Sequence, residues 1–122
     1  MSKLILVVDD STTMLVSMQV GLERNGFMVQ TAHDGVDALA KINAGLRPDL
    51  IITDINMPNM GGLELVKNIR EILRFTPILA LTTEIWRDKR EQAKQLGVTG
   101  WLVKPVSGQD LVKVIKQLIP GA

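Results

Sequence analysis

The stretches LILVVDD, Leu4 to Asp10, and LIITD, Leu50 to Asp54, decide the fold: each is a short apolar run that ends on acid. Nearly continuous Leu, Ile and Val is the pattern of a parallel strand covered on both faces, because each crossover between parallel strands is itself a covering helix. Further β-rich runs stand at Phe27 to Ala32, Ile78 to Leu81 and Gly100 to Val103, and each is followed by a longer segment with helical spacing. The alternation predicts five β–α units, hence an α/β domain in which five helices flank a five-stranded parallel sheet. The second run, with Gln30 and Thr31, is expected near an edge.

Helix punctuation agrees. Ser11 is placed to cap a helix carrying Met14, Leu15, Met18 and Leu22, which Asn25-Gly26 ends. A second helix is expected from about Val36 to Ala44, opened by Asp34 or Gly35, and a third from about Gly62 to Leu73. The fourth, Asp88 to Leu96, is highly charged. The fifth opens at Ser107 or Gly108 and carries Leu111, Val114, Ile115 and Leu118 on one face. Met14, Met18 and Met28 are expected in the core, and His33 in a solvated loop.

Length and composition bound the rest. The 122 residues fit one domain, 1–122, with 46% apolar residues for a core. Cys is absent and His33 is the one histidine, so disulfides, thiolate metal sites and cysteine nucleophiles are excluded. The longest apolar run is about five residues against the roughly 18 that span a bilayer, and MSKLIL lacks signal-peptide anatomy. A cytoplasmic protein is expected. A net charge of +1 gives no overall field for nucleic acid.

An open parallel sheet binds ligands outside the carboxyl ends of its strands. Asp9, Asp10, Asp54, Thr82 and Lys104 all fall at or just after such ends. Two bare carboxylates about 4 Å apart repel by roughly 4 kcal/mol at the effective dielectric of a protein surface. A cluster of three therefore calls for a cation, and all-oxygen ligation favours hard Mg²⁺, which typically pairs one or two carboxylates with waters and a phosphate.

The acid pair Asp9-Asp10, DINMPNMGG from Asp54, LTTE from Leu81 and GWLVKP from Gly100 together resemble the receiver domain of two-component response regulators, over essentially the whole chain. Stand-alone chemotaxis regulators of the CheY type are the branch it is most similar to. The resemblance implies a flavodoxin-like, doubly wound sheet of strand order 2-1-3-4-5, an order for which this type of regulator is itself a standard example.

It also implies residue roles. Asp54 is the phosphoacceptor for a kinase phosphohistidine. Asp10 binds Mg²⁺ directly, Asp9 mainly through water, Asp54 completes the carboxylates and Asn56 offers its main-chain carbonyl, with Mn²⁺ as a substitute ion. Thr82 and Lys104 bind the phosphoryl group, and Trp101 turns as Thr82 moves. Asn56, Thr83 and Glu84 set turnover, with Asn56 and Glu84 favouring a short-lived signal. Lys104-Pro105 is expected to be cis.

The charge run Arg87, Lys89, Arg90, Lys94 is interleaved with Asp88 and Glu91 and lacks stacking aromatics, so it reads as a solvated face rather than a nucleic-acid site. With Lys113, Lys116 and Trp86 it would make the fourth helix, fifth strand and fifth helix a docking face. The implied protein is a signalling switch, not an enzyme, that assists its own phosphorylation and dephosphorylation. Its implied partners are a CheA-like histidine kinase and a flagellar motor switch protein or phosphatase. DNA and membrane are not among them, and a monomer is expected.

Phosphate sink and phosphorelay intermediate are alternatives within the class. A Mg²⁺-dependent phosphohydrolase with an aspartate nucleophile lacks support, because Asp54-Ile55-Asn56 has no second acid for general acid–base work. A flavin binder would need a phosphate-cradling loop where Asp9 and Asp10 stand.

Overall fold

Residues in a strand alternate between the two faces of a sheet, and in this computed structural model, which describes residues 2–83 and 87–121, both faces are buried. The elements run β1 (Leu4–Val8), α1 (Thr12–Arg24), β2 (Met28–Ala32), α2 (Gly35–Asn43), β3 (Leu50–Thr53), α3 (Gly62–Ile72), β4 (Ile78–Thr82), α4 (Arg87–Leu96), β5 (Gly100–Val103) and α5 (Gly108–Leu118). All strand pairs are parallel, in the order β2-β1-β3-β4-β5.

One face puts Ile5, Val7, Leu50, Ile52, Leu79 and Leu81 against Leu15, Met18 and Leu22 of α1 and Leu111 and Ile115 of α5. The other puts Leu6, Val8, Ile51 and Ile78 against Ala38 and Ile42 of α2 and Leu65, Val66 and Ile69 of α3. β1, β3 and β4 are inner strands, which is why their sequences are apolar without alternation. β2 is an edge, as Gln30 and Thr31 suggested.

Met28 departs from expectation. It opens the edge strand opposite Leu4 and is 58% exposed, because the face of β2 it shares with exposed Gln30 is left open at this end of the sheet. Val29, on the opposite face, is buried. Met18 is in the core and Met14 packs against it.

Ser11, Asp34 and Ser107 cap α1, α2 and α5 by accepting the backbone N–H of Met14, Asp37 and Asp110. Arg70, unremarkable in the sequence, does more than its neighbours for the fold. Its guanidinium donates to the carbonyls of Gly97 (2.7 and 3.1 Å), Leu73 (2.9 Å) and Thr76 (2.7 Å), binding the end of α3, the loop into β4 and the end of α4 together. Gly97 stands at φ +104°, where a Cβ would come within 2.8 Å of Arg70 Nε, so the left-handed turn and the arginine require each other's shape.

Arg70→Ala strips three carbonyls of a charged donor, and we expect it to lower unfolding free energy by about 2–3 kcal/mol in urea titration. A loss under about 0.5 kcal/mol, the range of an ordinary surface change, would contradict this role.

Candidate functional site

Strand order reverses between β1 and β3, whose carboxyl ends flank one crevice. Asp9 and Asp10 leave β1 there and Asp54 leaves β3. Main-chain bonds fix both exits: Asp54 N–H donates to the Val8 carbonyl at 3.0 Å, and Asp9 N–H to the Ala32 carbonyl at 3.1 Å. Carboxylate oxygens of Asp9, Asp10 and Asp54 all lie within 4.8 Å of one another, and among the described residues these three form the one such group able to share a metal ion.

Lys104 enters from the end of β5. Its Nζ donates to Asp9 Oδ2 at 2.9 Å and to Asp54 Oδ2 at 3.3 Å, with only 15% of the lysine side chain exposed. Burial pulls the Lys104 pKa down. The hydrogen bond to Asp9, the charges of Asp54 and Asp9 and the bond to Asp54 together outweigh that, so the pKa lies above its ordinary value and the group stays an ammonium. Three carboxylates and one ammonium leave a local charge of −2, with oxygen donors alone: this set fits Mg²⁺.

The remaining oxygens are oriented by main chain. Asp9 Oδ1 accepts the Ser11 N–H at 2.9 Å, and Asp54 Oδ1 accepts the Ile55 N–H at 2.7 Å. Gly62, at the start of α3, packs directly on the Asp54 peptide: a Cβ there would lie 2.2 Å from the Asp54 carbonyl oxygen. Any side chain at Gly62 must therefore displace Asp54. The second glycine of DINMPNMGG is thus a positional requirement of the site, with no chemistry of its own.

Thr82 closes β4, fully buried, and its carbonyl accepts the Lys104 N–H at 2.7 Å, which ties the ends of β4 and β5 together. Thr83 is exposed. Lys104-Pro105 is cis, as the resemblance implied. Trp101 pairs with Ala80 across β4 and β5, is half-buried, and lines a groove with Arg87, Arg90 and Lys94 of α4. Lys113 is exposed on α5. Glu84 and Trp86 lie outside the described residues. His33 is 72% exposed at its side chain and lies 3.1 Å from Asp37 Oδ2.

Three residues of this neighbourhood were not singled out for the site by sequence. Asp34, read only as a helix opener, is buried and accepts both the Asp37 N–H at 2.7 Å and Asn59 Nδ2 at 2.9 Å, so it also fastens the loop after Asp54. Asn59 sits at φ 69°, a conformation that Asn tolerates better than most residues. Lys89 of α4 reaches Asn56 Oδ1 at 3.2 Å. A helix opener and a turn asparagine carry weak signals for such a pairing, and a lysine within a charge run carries none.

The response regulator receiver domain family matches residues 5–116. Chemotaxis protein CheY4 of Vibrio cholerae is similar in structure, with a TM-score of 0.92 and 42% identity over 97% of this chain and 99% of that one. Chemotaxis protein CheY-3 of the same species is 39% identical over 93% of this chain and 89% of its own length. The alkaline phosphatase synthesis transcriptional regulatory protein PhoP of Bacillus subtilis is 35% identical, and this chain spans 49% of it, about half the length.

The Asp37 N–H, then Asn59, hold the Asp34 carboxyl below its ordinary pKa of 3.8. A carboxylate whose folded pKa is depressed adds stability above its unfolded pKa and loses it as pH falls through the folded value. We therefore expect the stability advantage of the native chain over Asp34→Asn to shrink as pH falls below about pH 4 in denaturant titrations at stepped pH. An advantage that does not change with pH would refute the ionic reading of this cap.

Proposed function

Because the chain belongs to the response regulator receiver family, we propose that it is a phosphorylation-activated switch of a two-component system, taking a phosphoryl group from a histidine kinase on Asp54. The observation that carries this reading is the convergence of Asp9, Asp10, Asp54 and Lys104 at the β1/β3 crevice. Receiver domains are signalling switches rather than classical enzymes, they generally bind Mg²⁺ at an acidic pocket, and they imply a phosphohistidine donor. We take residues 1–122 as one such domain.

Asp54 Oδ2 is the attacking oxygen in this reading. It bonds to phosphorus as the phosphorus–nitrogen bond of the kinase histidine breaks, and the bonding pair returns to the imidazole. Lys104 keeps Asp54 ionised and then follows the charge onto the phosphoryl oxygens, as a mobile point charge. Asp9, Asp10, Asp54 and the Asn56 main-chain carbonyl would hold Mg²⁺, which supplies further neutralisation of the transferring phosphoryl oxygens. Most of the catalytic effect in such a transfer is positioning and electrostatics.

Once formed, the phosphoryl carries about −1.5 to −2 charges and draws donors toward it. Thr82 and Lys104 are those donors. Their carbonyl-to-amide bond at 2.7 Å joins β4 to β5, so movement of one strand end is passed to the other, and through Trp101 to the groove beside α4. Arg87, Arg90 and Lys94 there, with Lys113, form the partner face. Shifting a two-state face from 1:99 to 99:1 needs about 5.5 kcal/mol of differential interaction. Several charge-assisted contacts, at about 1.5–3 kcal/mol each, can supply that.

The similarity to CheY4 and CheY-3 of V. cholerae, across nearly all of each chain, supports chemotaxis as the setting, with a CheA-like kinase and a motor switch protein or phosphatase as partners. Among the described residues no helix is long and apolar enough to cross a membrane. A cytoplasmic monomer is part of the same proposal.

Incubation with radiolabelled phosphorylated kinase, or a labelled small acyl phosphate, tests acceptor and metal together. The native chain takes up label with Mg²⁺, EDTA slows uptake by at least about tenfold, and Asp54→Ala takes up none. Labelling that survives Asp54→Ala rejects the assignment.

A further inference from the structure

We propose that Asp34 is a positioning residue for the metal cluster: acting through Asn59, it holds the loop after Asp54 in the shape that aims the Asp54 carboxylate. The inference rests on Asp9, Asp10 and Asp54 binding a divalent ion.

Asp34 follows the edge strand β2 and is not one of the three carboxylates able to share an ion. It is nevertheless only 5% exposed, and a buried carboxylate is costly unless its oxygens find donors. Oδ1 accepts the Asp37 N–H at 2.7 Å, which is the cap of α2. Capping needs no more than that. Oδ2 accepts Asn59 Nδ2 at 2.9 Å, a bond between side chains 25 residues apart that the helix start does not require. His33 Nε2, on a largely exposed ring, lies farther from Oδ2 at 3.7 Å.

The chain between β3 and α3 is built to pass such a hold on to Asp54. At its base the Ile55 N–H donates to Asp54 Oδ1 at 2.7 Å, so the orientation of this peptide sets that of the carboxylate. The Ile55 carbonyl accepts the Gly62 N–H at 2.8 Å and closes the base. On its far side the loop turns through Asn59 at φ 69°, and the Met60 N–H donates to the Pro58 carbonyl at 2.8 Å. The start of α2 presses on that same side: a Cβ on Gly35 would lie 2.8 Å from the Met60 carbonyl oxygen. Base and far side are thus held separately, the first by α3 and the second by Asp34 and Gly35. Releasing the Asn59 carboxamide frees the far side, and the Ile55 peptide can then turn and take the Asp54 carboxylate with it. Mg²⁺ demands near-ideal octahedral geometry, so a small reorientation of one carboxylate weakens its binding.

The test is calorimetric titration of Mg²⁺ alone into the native chain and its variants. Asp34→Ser keeps a hydroxyl for the Asp37 N–H but is too short to reach Asn59 as well. Asn59→Gly tolerates the left-handed turn and removes the carboxamide. Each is expected to raise the Mg²⁺ dissociation constant by about three- to tenfold, below the roughly 10- to 100-fold typical of a partner that bonds a metal ligand directly. The double variant should bind no more weakly than the weaker single one, because both changes cut the same bond. Arg70→Ala, whose lost bonds lie at the opposite end of α3, should lose stability yet bind Mg²⁺ as the native chain does. An unchanged dissociation constant in Asn59→Gly, losses that multiply in the double variant, or an equal weakening in Arg70→Ala overturns the inference while leaving the metal cluster in place. A native chain that binds no Mg²⁺ overturns both.

Discussion

The ammonium of Lys104, held between Asp9 and Asp54, is the interaction on which the rest of the site depends. Three carboxylates within 4.8 Å of one another would repel by several kcal/mol if bare, at about 4 kcal/mol per close pair. A lysine brought in from β5, the far edge of the sheet, offsets part of that and leaves the cluster with a charge suited to a divalent ion. The same ammonium is available to a phosphoryl group. Under the proposed function, cluster stability, metal affinity and the response to phosphorylation become three readings of one electrostatic balance.

Such a balance needs a rigid frame, and the frame is supplied by inner strands. Asp9 and Asp54 are fixed by ladder bonds to Ala32 and Val8, and the Asp54 peptide is backed by Gly62 with no room for a side chain. α4 is bound at its carboxyl end through Gly97 and Arg70, while near its amino end Lys89 meets Asn56. A helix fastened at one end and in contact with the site near the other is suited to report what happens at Asp54.

Much of this was legible in the sequence, for identifiable reasons. LILVV, LIIT and ILAL announce buried parallel strands because such strands have no solvent face to encode, and Ser11, Asp34 and Ser107 announce helix starts because caps are local. Strand order came from resemblance alone, since periodicity does not record which strand lies beside which. Met28 was misplaced because an apolar residue in an edge strand looks like one in an inner strand. Arg70, Asn59 and Lys89 were missed as partners because their contacts, to Gly97, Asp34 and Asn56, join residues 25 to 33 positions apart. Nothing in their local spacing signals such a pairing.

The central claim, that Lys104 stands where it competes with a metal ion for the same carboxylates, is tested most directly by equilibrium unfolding of the native chain and Lys104→Met across a Mg²⁺ series. A ligand that binds only the folded state stabilises it by RT ln(1 + [L]/Kd), about 2.7 kcal/mol at one hundred times its dissociation constant. The account predicts that Lys104→Met is the less stable protein without metal and gains more from each Mg²⁺ concentration than the native chain does. Equal gains in the two proteins would contradict it.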